Sequence, residues 1–197
     1  MKYNTNELTE LFMNLNLDEH IQLNKIPDID LYMDQVIQLF ENNLSNSKRN
    51  DTDKILTKTM INNYSKDKLL FPTKNKKYTK QHILLMILTY DLKQTLSIGD
   101  IKKIFNPMVE SLSKEDHNFN IIGLYEKYLF LKEKQWKEEK LLLQNTLQSV
   151  SLLYESEEEN IHNNDYEKLL SVILTLQNSA SINKRLAEKL IDKYFNN

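Results

Sequence analysis

Lys58, Asn62 and Lys66 stand four residues apart, with Thr59 and Asn63 beside them. On an α-helix that spacing gathers five polar side chains on one stripe. Asparagine can bond N6 and N7 of an adenine, threonine can touch a thymine methyl, and lysines hold phosphates as point charges. Further along, Lys74, Lys76 and Lys77 crowd together just before Tyr78. These side chains suit a polyanion with an A·T-rich hydrogen-bonding edge. The second lysine group would reach flanking phosphates or the minor groove, with Tyr78 anchoring its hairpin. A merely solvated helix also exposes Lys and Asn, both abundant throughout this chain. The stripe therefore takes its meaning from the elements around it.

Other chemistries find little footing. There is no cysteine, which excludes disulfides, thiolate catalysis and zinc–thiolate or iron–sulfur centres. Gly99 and Gly123 are the only glycines, too few for a phosphate-cradling loop or a dinucleotide fingerprint. The four histidines (His20, His82, His117 and His162) do not pair at metal-ligand spacing. Glu159 and His162 form one Glu-x-x-His, where a di-iron bundle needs two. No serine elbow or paired-carboxylate context appears. The expectation is a non-enzymatic protein without cofactor or metal.

Charge is unevenly distributed. Lys48 to Lys103 holds 13 Lys/Arg against 5 Asp/Glu, a balance of +8, within a chain of net charge −2. A basic segment in an acidic protein is the outline of an anion-binding module. No apolar run reaches the roughly 18 residues that span a bilayer, and the first residues lack a signal peptide's basic start and apolar centre. A cytoplasmic protein is expected, with no membrane partner.

The positioning elements are helices. Leu8, Leu11, Phe12 and Leu15 suggest a short first helix within 1–25. Pro27 and Asp28 mark a helix start, and Ile29, Tyr32, Met33, Val36, Ile37, Phe40 and Leu44 follow at three- and four-residue steps. Ser45 to Asp53 reads as a polar loop. Thr57 is the expected N-cap of the helix carrying the polar stripe, with Ile61 and Tyr64 inward. Phe71 to Tyr78 reads as a hairpin or wing. Thr79 caps a helix through Ile83, Met86, Ile87, Tyr90 and Leu92. Ser97 and Asp100 resemble a capping box for a helix that Asn106-Pro107 should stop. A long stripe runs through Tyr125, Leu129, Trp136, Leu143, Leu147, Val150 and Tyr154. An acidic linker from Glu155 to Asn164 then precedes two further helices, the first at 166–176 and the second at 182–194.

From Thr57 to Phe105 the order of parts resembles the winged helix-turn-helix of MerR-type regulators. Those carry a Leu-Arg-Tyr-Tyr helix core, a Gly-Leu-Leu turn, a proline, a basic wing ending in tyrosine, and then two more helices. Here the parts read Ile61-Asn62-Asn63-Tyr64, Lys68-Leu69-Leu70, Pro72, Lys74 to Tyr78, and Ser97 to Lys103. Asn62 and Asn63 replace an arginine and an aromatic. The loop before Thr57 exceeds the usual three- or four-residue turn. The stretch from Ile26 to Phe105 also resembles a bacterial family described as domain of unknown function 1836. That resemblance implies a small helical protein with an inferred MerR-like DNA-binding half, and it assigns no ligand.

The expected fold is all-α. An extension (1–25) precedes a MerR-like winged helix-turn-helix with a small β wing (26–106), and a C-terminal helical bundle (107–197) serves dimerisation or effector sensing. The expected function is sequence-specific binding of double-stranded DNA in transcriptional regulation. Its readers are Lys58, Thr59, Asn62, Asn63 and Lys66, with Lys74, Lys76, Lys77 and Tyr78 in the wing. MerR-type proteins dimerise through a helix after the winged domain, which implies a homodimer here, with room for a small-molecule effector. Trp136 is either an anchor of that interface or a residue packed on a neighbouring helix of the same chain. The alternative function is a protein–protein interaction module on a winged-helix scaffold that no longer binds DNA.

Overall fold

The structure is a computed structural model that describes residues 2–16, 19–114, 118–155 and 164–196. His117, the Glu159–His162 pair and the core of the acidic linker, 156–163, lie outside the described residues. Seven α-helices, two 3-10 turns (Leu23–Lys25 and Ser45–Ser47) and one two-stranded sheet are found among the described residues: α1 (Thr5–Met13), β1 (Leu31–Tyr32), α2 (Met33–Leu44), α3 (Lys58–Lys66), β2 (Lys77–Tyr78), α4 (Lys80–Lys93), α5 (Ile98–Leu112), α6 (Ile121–Glu155) and α7 (Asn164–Tyr194). The fold is mostly helical, as the periodicity predicts. None of the described helices is long and apolar enough to cross a membrane.

Two compact units share this chain. The larger comprises Glu19–Phe130 with Ala187–Asn197, and the smaller comprises Met1–Asp18 with Leu131–Leu186. Helices α6 and α7 each contribute to both.

In the larger unit α4 is the central element. Residues Ile83, Leu84, Leu85, Met86, Ile87 and Leu88 are all buried, so the helix is apolar on every side. Val36 and Phe40 of α2, Ile61 and Tyr64 of α3, and Ile101 and Phe105 of α5 join the same core. Tyr125 reaches in from α6 and donates its hydroxyl to the carbonyl of Ile21 at 2.8 Å. The long connection between α2 and α3 is tied down by Ile55 and Leu56, both buried.

Several sequence expectations are corrected here. The helix predicted from Pro27 begins only at Met33, and Ile29 is 69% exposed. Leu31 and Tyr32 instead pair antiparallel with Tyr78 and Lys77. Pairing satisfies backbone groups that one more helical turn would have satisfied otherwise. Pro107 does not end α5, which continues to Leu112. Proline removes one backbone donor, but Met108, Val109 and Leu112 are buried beyond it, and their burial offsets that loss. The 106/107 division therefore falls within α5. The two expected C-terminal helices are one, α7, since Gln177 to Ser181 contains neither Gly nor Pro to interrupt it.

In the smaller unit Leu143, Leu147 and Val150 of α6 pack with Val172 of α7, and Leu8 and Phe12 of α1 close over them. Tyr3 donates its hydroxyl to the carbonyl of Leu147 at 2.8 Å. Trp136 stacks on Phe12 with ring centroids 4.4 Å apart and planes at 11°. Of the two roles open to Trp136, packing within its own chain is the one observed. Leu143, Leu147 and Val150 of the same stripe are buried within the chain as well.

Candidate nucleic-acid interface

Thr57 begins α3 as expected: its Oγ1 accepts the Met60 amide at 3.1 Å. Burial of Ile61 and Tyr64 then fixes the rotation of the helix. Lys58, Thr59, Asn62, Asn63 and Lys66 all emerge exposed. The burial of two side chains thus aligns the other five.

The C-terminus of α3 is a Schellman-type stop. The Leu69 amide donates to the Tyr64 carbonyl at 2.9 Å, and Lys68 has φ of +60°. A left-handed residue there is normally glycine. Leu69 and Leu70 follow, both buried, and turn the chain into the wing.

The wing tip is a tight turn. Lys74 and Lys77 bridge, the Lys77 amide donates to the Lys74 carbonyl at 3.0 Å, and Asn75 and Lys76 both have positive φ. Two central residues of positive φ make this a type I′ hairpin turn. Lys74 and Lys76 are exposed, and Lys77 is half-buried. The second strand pairs with β1, far upstream, so the wing is stitched to the entry of α2. Tyr78 is 6% exposed. It is an anchor only and leaves the set of candidate contact residues, because its side chain enters the core beside His82.

His82 secures the base of the wing. Its Nδ1 accepts the Thr79 amide at 3.2 Å, and its Nε2 lies 3.0 Å from the Phe71 carbonyl. An acceptor at Nδ1 leaves the proton on Nε2, which donates to Phe71. The ring is 1% exposed. Burial holds its pKa below the ordinary histidine value, with the bonds to the backbone and Asp30 acting in the opposite sense.

The entry of α2 joins the stripe to the wing. Lys77 Nζ sits 5.2 Å from the Tyr32 ring centroid. Tyr32 directly precedes α2, and Asp34 lies on its first turn. Asp34 Oδ1 is 2.7 Å from Lys58 Nζ at the start of α3. Lys58 and Lys77 thus meet one short segment, while Lys66 lies at the far end of α3. Sequence reasoning missed Asp34. An acid between Met33 and Gln35 on another helix carries no local signal of where it will point. Both members of this pair are largely exposed, so the ion pair stabilises by at most about 1 kcal/mol. Among the described residues no group of three potential metal ligands is gathered.

Residues 21–128 match the family model described as domain of unknown function (DUF1836), and the chain belongs to that family. The match covers the core of the larger unit, with α2 to α5 and the wing. No curated protein matches the chain, and no solved structure does.

Proposed function

We propose that this member of the DUF1836 family binds double-stranded DNA through α3 and the wing, as a cytoplasmic, non-enzymatic transcriptional regulator on a MerR-like winged helix-turn-helix. The observation that carries the reading is the sorting of α3. Two core residues face inward, and every polar candidate faces solvent from a helix capped at both ends. The left-handed Lys68 adds support, since it occupies the place of the glycine in the Gly-Leu-Leu turn of MerR-type proteins. Asn62 and Asn63 read adenine edges, Thr59 touches thymine methyls, and Lys58 and Lys66 hold phosphates. Lys74, Lys76 and Lys77 hold the flanking backbone.

Five lysines neutralising five phosphates give log K against log salt a slope of about −4.5 per bound copy. Fluorescence anisotropy of a labelled duplex across a salt series measures that slope. A flat dependence contradicts the reading.

A homodimer accompanies this proposal, because paired half-sites need paired readers. Its surface must lie outside the buried stripe. Tyr166, Leu170, Ile173 and Leu174 project from the side of α7 opposite Val172, and Leu141, Leu142, Leu152 and Leu153 are exposed on α6. Sedimentation of the wild type beside Ile173→Glu/Leu174→Glu tests it. A monomeric wild type removes the dimer.

Asp34 favours a second reading, a protein-interaction module on the same scaffold. A carboxylate against Lys58 repels phosphate where the first contact would form. The two readings part on the salt series.

A further inference from the structure

A cavity of about 480 Å³ opens in the larger unit between α4, α5, the start of α6 and the residue that follows α7. That volume lies within the range of small-molecule sites, which are mostly apolar with a few placed polar groups. Phe105, Phe119 and Phe195 line it, with Met108 beside them. None of these three phenyl rings pairs with another aromatic ring among the described residues. Offset or edge-to-face ring contact attracts beyond plain burial, and a methionine thioether attracts ring edges too. Contacts that these side chains do not make within the chain are open to a guest.

The polar part of the lining is already engaged. The Tyr128 hydroxyl donates to Asp91 Oδ2 at 2.8 Å, and both residues have further interactions besides this bond. Asp91 is the one charged side chain of the lining, so an anion would meet like charge in apolar surroundings. A cation would give up its hydration for a carboxylate that already has partners. A neutral guest incurs neither cost. The other polar side chain, Thr95, stands at an exposed position, where its hydroxyl suits a single hydrogen-bonding group.

We propose that this cavity binds a small neutral aromatic molecule, whose ring system packs among Phe105, Phe119 and Phe195 while one hydroxyl group lies toward Thr95 and solvent. The unpaired rings set the preference for an aromatic body, and the engaged Asp91 sets the preference for a neutral one. The lining includes no residue of α3 or the wing, and the site stands whether or not the chain binds DNA.

The test is isothermal titration calorimetry of the full chain near pH 7 with four matched probes: 2-(1-naphthyl)ethanol, its saturated decahydronaphthyl analogue, 2-(1-naphthyl)ethylamine and 1-naphthylacetate. The naphthyl alcohol binds with 1:1 stoichiometry, roughly threefold tighter than the saturated alcohol, whose body makes no ring contacts. It also binds tighter than the amine, and the acetate binds weakest, about tenfold or more below the alcohol. Thr95→Trp, at the exposed position and with its fold checked by circular dichroism, fills the opening and weakens the naphthyl alcohol by about tenfold. The wild-type series decides the matter even where that variant misfolds. Failure of the naphthyl alcohol to bind the wild type overturns the proposal. So does an amine, an acetate or a saturated alcohol that binds as tightly, or a folded Thr95→Trp protein that binds the naphthyl alcohol unchanged.

Discussion

His82 donates from Nε2 to the carbonyl oxygen of Phe71 across the base of the wing, at 3.0 Å, while its other nitrogen accepts the amide that begins α4. One buried ring thereby ties a loop to a helix start. It does so only in the neutral form, since a proton on Nδ1 would face the Thr79 amide. The folded pKa lies below the ordinary 6.5. The stabilisation is therefore present above about pH 6.5 and is lost as pH falls toward the folded value. Urea denaturation at pH 7.5, 6.5 and 5.5 should show falling stability, with a slope of at most about 1.4 kcal/mol per pH unit from this one proton. His82→Gln keeps a donor to Phe71 and should flatten that part of the slope.

Lys68 holds a left-handed conformation at the end of α3 without being glycine. Lys68→Gly relieves that conformation and should raise the unfolding free energy by about 0.5–1 kcal/mol. Thermal denaturation of the two proteins at one pH checks it. A destabilised glycine variant would mean that the lysine side chain contributes more than its backbone costs.

Tyr64 is buried, and its hydroxyl has no hydrogen-bond partner among the described residues. Burial raises its pKa to about 12. An unsatisfied buried hydroxyl costs roughly 1–3 kcal/mol, so Tyr64→Phe should be neutral or stabilising. Urea denaturation reads the difference. A clear loss of stability would reveal a partner for that oxygen.

Asp34 opposes the proposed contact of Lys58 with phosphate. Asp34→Asn should tighten DNA binding and leave the salt dependence near the slope set by five phosphates, since Lys58 is already one of the five lysines. Anisotropy at two salt concentrations measures both. A variant that binds no better would place Lys58 outside the contact.

Legibility in the sequence followed the range of the forces involved. The cap at Thr57, the inward Ile61 and Tyr64 and the outward stripe were readable, because a helix repeats locally every 3.6 residues. The strand Leu31–Tyr32 was hidden, since it is two residues long and its partner lies far along the chain. Pro107 read as a stop because its local cost is plain, while the burial of Met108 and Leu112 that offsets it is tertiary. Trp136, isolated among charges in sequence, found Phe12 on a helix more than a hundred residues earlier. In the candidate site the exposed lysines and asparagines were readable. The anchoring of the wing by Tyr78 was readable as well, while the intrusion of Asp34 was not, because it meets Lys58 from another helix.

The most direct test of the central claim is the affinity of the purified chain for A·T-rich and mixed-sequence duplexes at low and moderate salt, beside Lys58→Glu/Asn62→Ala. The account predicts tighter binding to A·T-rich duplexes, a steep fall with salt, and loss of both the preference and most of the affinity in the double variant. No binding at low salt, or binding that the double variant leaves unchanged, would contradict it.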